Sequence, residues 1–214
     1  MSHTRAVSAL HTRINYWPAM IDMLTSLLMF FLLIYFVEHH FSSGSAELAV
    51  AQSRQAQFTR VLEREFSREI AAGQVAYSHD LKLLQVRFGE GVLFRPGDHE
   101  LLPAGRRLLG RLTRVFHSLD GHGATLYEQV QIEGHTDDVP ARRDYYPHDN
   151  WELSTARATS VLRYLTRGAR QPLDEGLMSV NGYADNRPVS ARRGLNRRIE
   201  IRIYFSGQAA GAAR

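Results

Sequence analysis

The chain has 214 residues, a formal net charge of +4 and no cysteine, which excludes a disulfide framework and a thiolate metal centre. Arg5 and Arg13 are balanced by Asp22 and Glu38, so the net positive charge lies beyond residue 38 and suits a polyanionic partner. The ten histidines are scattered without helical i, i+4 spacing, and no nucleophile–base pair is evident. The expectation is therefore no metal, no cofactor, no catalytic residue and no enzyme.

Residues 1–16 form a short tail carrying Arg5 and Arg13, with no acid before Asp22. Residues 17–37 are apolar almost throughout and read as a single transmembrane helix. Roughly 21 residues at about 1.5 Å each cover about 32 Å, against a hydrocarbon core of about 30 Å. Tyr16 and Trp17 mark one interface, and Tyr35 with Glu38, His39 and His40 the other. The run is too long for a typical signal-peptide core, and no small-residue cleavage site closely follows it. The positive-inside rule puts the N-terminus in the cytoplasm of a bacterial inner membrane and the rest in the periplasm. In that compartment an anionic wall polymer is the expected partner, and nucleic acid is not.

Asp22 lies inside the apolar run. An ionised carboxylate at that depth costs roughly a few kcal/mol or more, so it is neutral part of the time, paired, or facing a wet path. That marks an ion-translocating site. Thr25 and Ser26 follow three and four residues on and share its helix face. Such a polar stripe faces protein or water, and one helix encloses no path, so partner helices are required. A polar group buried only to fix helix register is the structural alternative.

Residues 38–75 are expected to be a periplasmic linker. Within it, 42–45 is small and flexible, and 46–72 has helical composition, with Leu48, Phe58, Val61, Leu62, Phe66 and Ile70 along one stripe before Gly73. This amphipathic helix is either a solvated spacer or a helix that pairs with a copy of itself or lies on the membrane. Residues 76–206 then form one domain, with strands at 81–88, 91–94, 127–133, 177–182 and 198–205 and helices at 100–119 and 151–167. Alternating strands and helices predict an α/β (α+β) sandwich with helices on one side of a mixed sheet. Residues 207–214 are a Gly/Ala-rich tail.

The most specific chemistry follows the strand at 127–133: Gly134, His135, Thr136, Asp137 and Asp138, then a polar, aromatic loop, then Asn150, Trp151, Glu152, Leu153, Ser154, Arg157 and Ala158. An acid at a strand's C-terminal edge, with a base on the returning helix, can clamp an amphoteric group. Asp137 would take the ammonium and Arg157 the carboxylate of a diaminopimelate side chain. On spacing alone, an internal Asp–Arg bridge that only organises the fold is equally open.

Gly-His-Thr-Asp, Leu-Ser-x-x-Arg-Ala, then Gly182-Tyr183, Pro188 and Asn196-Arg197-Arg198, in that order, resemble the OmpA-like peptidoglycan-binding domain. Asn-Trp-Glu-Leu-Ser and the long loop at 139–149 are similar, more narrowly, to the MotB type, the wall-anchored subunit of flagellar stators. Tyr16-Trp17 before Asp-Met-Leu-Thr resembles that family's proton-carrying helix. The resemblance implies that Asp137 and Arg157 hold the diaminopimelate peptide of peptidoglycan, with Thr136, Asn150 and Arg197 in support. It also implies a dimer whose two helices are ringed by MotA-like multi-span subunits, and a plug role for a segment within 38–75. His135 and Asp138 are as suited to a core or a turn as to ligand, and for Arg197 and Arg198 a solvated edge that discourages aggregation is the plain alternative. Arg192 stands where the family commonly has glycine, so the loop there is expected to differ.

Three functions fit: an ion-conducting stator subunit of a rotary motor, with the proton as the expected ion; the MotB-like subunit of a Zorya-type antiphage defence motor; and a plain tether between inner membrane and peptidoglycan. The tether has no need of Asp22.

Overall fold

The computed structural model describes residues 15–118, 126–141 and 147–207. Arg5 and Arg13, most of the terminal tail and the centre of the 139–149 loop lie outside the described residues. The chain divides into two compact units, 1–45 and 46–214.

In the first unit, helix α1 (Trp17–Glu65) opens with Trp17 N donating to Asn15 Oδ1 at 3.2 Å. Its segment Trp17–His39 is predominantly apolar, and none of it is buried. It is the one helix among the described residues long and apolar enough to cross a membrane. The 42–45 stretch falls within α1, where the sequence predicts a flexible break. The single Gly44 costs a helix only about 1 kcal/mol, and no proline interrupts the run.

The second unit begins at Ala46, some thirty residues before the predicted domain boundary at 76. The reason is packing. Ala51, Phe58, Leu62 and Phe66 are fully buried in the core, each large side chain contributing on the order of 2 kcal/mol. Residues 46–65 of α1 are therefore neither a solvated spacer nor a free pairing helix. A plug formed by this stretch would have to leave that core.

After α1 come α2 (Ser67–Ala71), a hairpin of β1 (Val75–Asp80) and β2 (Leu83–Gly89), α3 (Glu90–Leu93), α4 (Pro103–His117) and β3 (Tyr127–His135). Then follow α5 (Asn150–Arg163), a π-helical turn (Tyr164–Gly168), β4 (Met178–Gly182), α6 (Arg193–Asn196) and β5 (Arg198–Phe205). The sheet order is β1-β2-β5-β3-β4, antiparallel except for the parallel β3–β4 pair. The alternation predicted for β5 holds: Ile199, Ile201, Ile203 and Phe205 enter a core shared with α1, α4 and α5. Phe58 packs edge-on to Phe116 and Phe205, with ring centroids 4.9 and 5.7 Å apart.

Two short elements differ from expectation. β1 was not predicted, since of its residues only Val75 is buried and no apolar alternation marks it. Residues 91–94, expected as a strand, lie mostly in the helical turn α3, which leads with the buried acid Glu90.

Candidate functional site

The site gathers at the C-terminal end of β3. A Cβ on Gly134 would lie 2.0 Å from the Ser154 carbonyl oxygen, and one on Gly182 2.1 Å from Thr155 Oγ1. Only glycine lets α5 approach β3 and β4 this closely. Asp149 caps α5 by accepting from Glu152 N at 2.8 Å. Asn150 fixes the loop it follows, donating to the Asp137 and Val139 carbonyls at 3.1 and 3.0 Å and accepting from Ala141 N at 3.0 Å.

Thr136, Asp137, Asn150, Arg157 and Arg197 all line one cavity of about 280 Å³, together with Glu90, Val139 and Leu153. The sequence places these five around a single site, and the fold brings them together. The pairing differs from the simplest expectation, because Asp137 and Arg157 do not bond to each other. Arg197 bridges instead, with Nη1 2.7 Å from Asp137 Oδ2 and Nε 2.6 Å from Glu90 Oε2. Glu90 also accepts from Arg157 Nη2, and Arg157 Nε donates to the Asp98 carbonyl at 2.8 Å. The result is an alternating chain, Asp137–Arg197–Glu90–Arg157.

Exposure divides these groups by role. The Arg157 side chain is 2% exposed and that of Asp137 7%, whereas Arg197 is 42% exposed and free to change partners. Burial pushes the Arg157 guanidinium below its ordinary value, against the opposing pull of Glu90. The hydrogen bond to Asp137 raises that of Arg197, with Glu90 adding to it. Thr136 N donates to the Ala184 carbonyl at 2.9 Å, while its Oγ1 is buried without a hydrogen-bond partner. Such a group is costly unless something satisfies it.

Glu90 was missed in the sequence, although an acid between two glycines after an apolar strand was the available signal. Asn196 was also missed as a positioning residue. Its amide accepts from Val189 N and Ser190 N and donates to the Ser190 carbonyl, holding the loop before Arg197.

His135, Asp138 and Arg198 stand apart from the cavity. Asp138 pairs with Arg193 at 2.7 Å. Arg198, for which a solvated edge was the alternative reading, is buried, donating from Nε to Glu200 at 2.6 Å. His135 is buried and stacks on Tyr183 with centroids 5.4 Å apart. On the sheet face opposite the core, Glu133 and Glu200 sit directly across from each other, a repulsive juxtaposition relieved by Arg87 at 3.2 Å from Glu200 and Arg202 at 3.4 Å from Glu133. Donor atoms of Glu133, His135 and Glu200 lie within 4.8 Å of one another. Four arginines, Arg87, Arg187, Arg198 and Arg202, already supply positive charge there, so this is an ionic network of the fold and a poor metal centre.

Burial raises the Glu200 carboxyl, but its hydrogen bond and charge contact with Arg198, aided by His135 and Arg87, hold it below its ordinary 4.5. A depressed carboxyl stabilises the fold above its unfolded value, and that contribution is lost as pH falls through the folded value. Glu200→Gln is therefore expected to lower stability by on the order of 3 kcal/mol at pH 7 and to flatten the decline below about pH 4.5. Urea midpoints from pH 7 to 3 check this; equal acid slopes in both proteins would refute it.

A mixed five-stranded sheet with helices over one face and this polar edge at β3 defines an OmpA-like domain. The chain belongs to the OmpA family, whose model matches residues 93–202. It is 30% identical to Motility protein B of Escherichia coli K12 over 115 residues, 52% of this chain and 34% of that protein. A putative MotB-like protein from Desulfovibrio vulgaris superposes with a TM-score of 0.62 at 26% identity, covering 74% of this chain and 98% of that one. The cell wall anchor of the T6SS from Pseudomonas aeruginosa gives 0.57 at 29% identity, covering 67% and 96%. The matches span less than half the length of the curated relatives. The likeness is to the MotB type within the OmpA family.

Proposed function

We propose that this chain is a wall-anchored, ion-conducting subunit of a MotA/MotB-like rotary motor. The observation that carries the wall end is the cavity in which the unsatisfied Thr136 hydroxyl, the Asp137 carboxylate and two guanidinium groups converge. An amphoteric carbon, such as the diaminopimelate terminus of a wall peptide, matches that set. Its ammonium meets Asp137 and Thr136 while its carboxylate meets Arg197, released from Asp137, and Arg157. Binding needs no covalent chemistry, so the protein is proposed to be a binding and transport subunit and not an enzyme.

At the membrane end, the apolar helix sits in the inner membrane with the OmpA-family domain in the periplasm. Asp22 takes a proton from the periplasmic side within a ring of MotA-like multi-span partners around two copies of this helix. It loses its charge and releases the proton to the cytoplasm after the ring has moved. A charge crossing the membrane gains about 2.3 kcal/mol per 100 mV, enough to bias a small rotation. Thr25 Oγ1 donates to the Asp22 carbonyl at 2.9 Å, which leaves its oxygen lone pairs available to an ion on the same face. The partner defines what the motor drives, a flagellum or a Zorya-type defence effector.

Likeness to the T6SS wall anchor favours the tether as a second reading. The wall end, common to both readings, is tested by co-sedimentation of the detergent-solubilised full chain with purified sacculi. The expected result is that the chain pellets with sacculi; retention in the supernatant would contradict it.

A further inference from the structure

The strongest unassigned feature is a second cavity of about 550 Å³, between α4 and the segment after α5, lined by Arg106, Arg107, Arg111, Arg114, Arg170 and Tyr164 among others and by no acid. It shares no residue with the cavity around Asp137. Its size falls within the roughly 300–1,000 Å³ typical of ligand sites.

Four of these arginines come from one fifteen-residue helix that has no acidic residue. Arg107, Arg111 and Arg114 recur at helical spacing, so like charges face one another on one side of α4. Arg106 and Arg107 also sit near the N-terminal end, where the helix dipole opposes positive charge. Only Arg111 is neutralised: its Nη1 lies 2.5 Å from Glu69 Oε1 and its guanidinium packs 4.6 Å from the Phe66 ring centroid. Arg106, Arg107, Arg114 and Arg170 are exposed and have no ion pair among the described residues. Local helix rules are broken here, and apart from the Arg111–Glu69 pair no ion pair among the described residues compensates them, a pattern that marks function.

We propose that this cavity binds a linear polyanion whose charges are phosphate groups spaced along a chain. Guanidinium forks match phosphate oxygens in bidentate pairs, and four uncompensated cations across one concavity suit a repeating charge better than a single anion. A membrane surface is a poorer fit. Interfacial sites pair basic residues with inserted apolar side chains, and none of the exposed large hydrophobic side chains lines this cavity. A nucleic-acid strand is a poorer fit as well, since stacking platforms are wanting: Tyr164 is the one aromatic in the lining.

The test is titration of fluorescent inorganic polyphosphate into the full chain in non-ionic detergent at several salt concentrations. The comparison is with the quadruple variant Arg106→Gln, Arg107→Gln, Arg114→Gln and Arg170→Gln. Removing four phosphate contacts should weaken binding at least about tenfold near 0.1 M salt and reduce the log–log salt slope by roughly three. Asp137→Asn should bind polyphosphate as the parent does, which separates this site from the wall clamp. If the quadruple variant is poorly folded by circular dichroism, Arg114→Glu and Arg170→Glu singly should each weaken binding. Undiminished affinity in the folded variants overturns the proposal. So does a parent chain that does not bind polyphosphate.

Discussion

Asp22→Asn is expected to abolish ion-driven output while leaving membrane insertion, assembly with the multi-span partner and wall retention intact. Asparagine keeps the size and hydrogen-bonding capacity of a protonated aspartate but cannot take up or release a proton. If Asp22 only set helix register, the amide would serve as well as the acid. The readout is proton flux in cells or vesicles containing the chain and its partner, measured against sacculus binding of the same preparation. Flux should fall to background with binding unchanged. Full flux in the variant would remove the ion-path reading, and a partner-free tether would show no flux in either protein.

Asp137→Asn is expected to lower affinity for peptidoglycan by a factor of roughly 30 to several thousand, the equivalent of about 2 to 5 kcal/mol for losing one member of a desolvated charge pair. The fold should survive, because Arg197 keeps Glu90 at 2.6 Å and the Asp137 backbone carbonyl still accepts from Asn150. Arg157→Ala is a weaker probe of binding. It strips the buried Glu90 of one of its two cations, leaves the Asp98 carbonyl without its Nε donor, and empties space beside Phe94, so lost binding there would be confounded with lost structure. Equal sacculus retention by folded Asp137→Asn would indicate that the charge chain serves only the fold.

Much of the architecture could be read from residue order. The alternation of Ile199, Ile201 and Ile203 defined β5, and the apolar periodicity of α4 and α5 defined the helices that cover the sheet. The close β3–α5 approach is encoded in Gly134 and Gly182, and it carries Arg157 into the cavity that Asp137 rims. Less legible was everything that depends on a partner distant in sequence. Residues 46–65 have an amphipathic pattern that suits a free helix equally well, and only the complementary surface of Phe88, Phe116 and Phe205 assigns them to the core. Glu90 looked like an interruption of a strand because its two arginine partners follow 67 and 107 positions later. An Asp137–Arg157 bridge was the simplest pairing by charge, but the exposed Arg197 reaches Asp137 while the buried Arg157 is committed to Glu90 and the Asp98 carbonyl.

The most direct test is calorimetric titration of the detergent-solubilised full chain with two defined muropeptides, one carrying diaminopimelate and one carrying lysine at the same position. Their side chains end respectively in an amphoteric carbon and in a bare ammonium. An Asp137–Arg197–Arg157 clamp predicts saturable binding of the diaminopimelate peptide, at least about tenfold tighter than the lysine peptide and lost in Asp137→Asn. Equal affinity for the two peptides, or no binding of either, would contradict it.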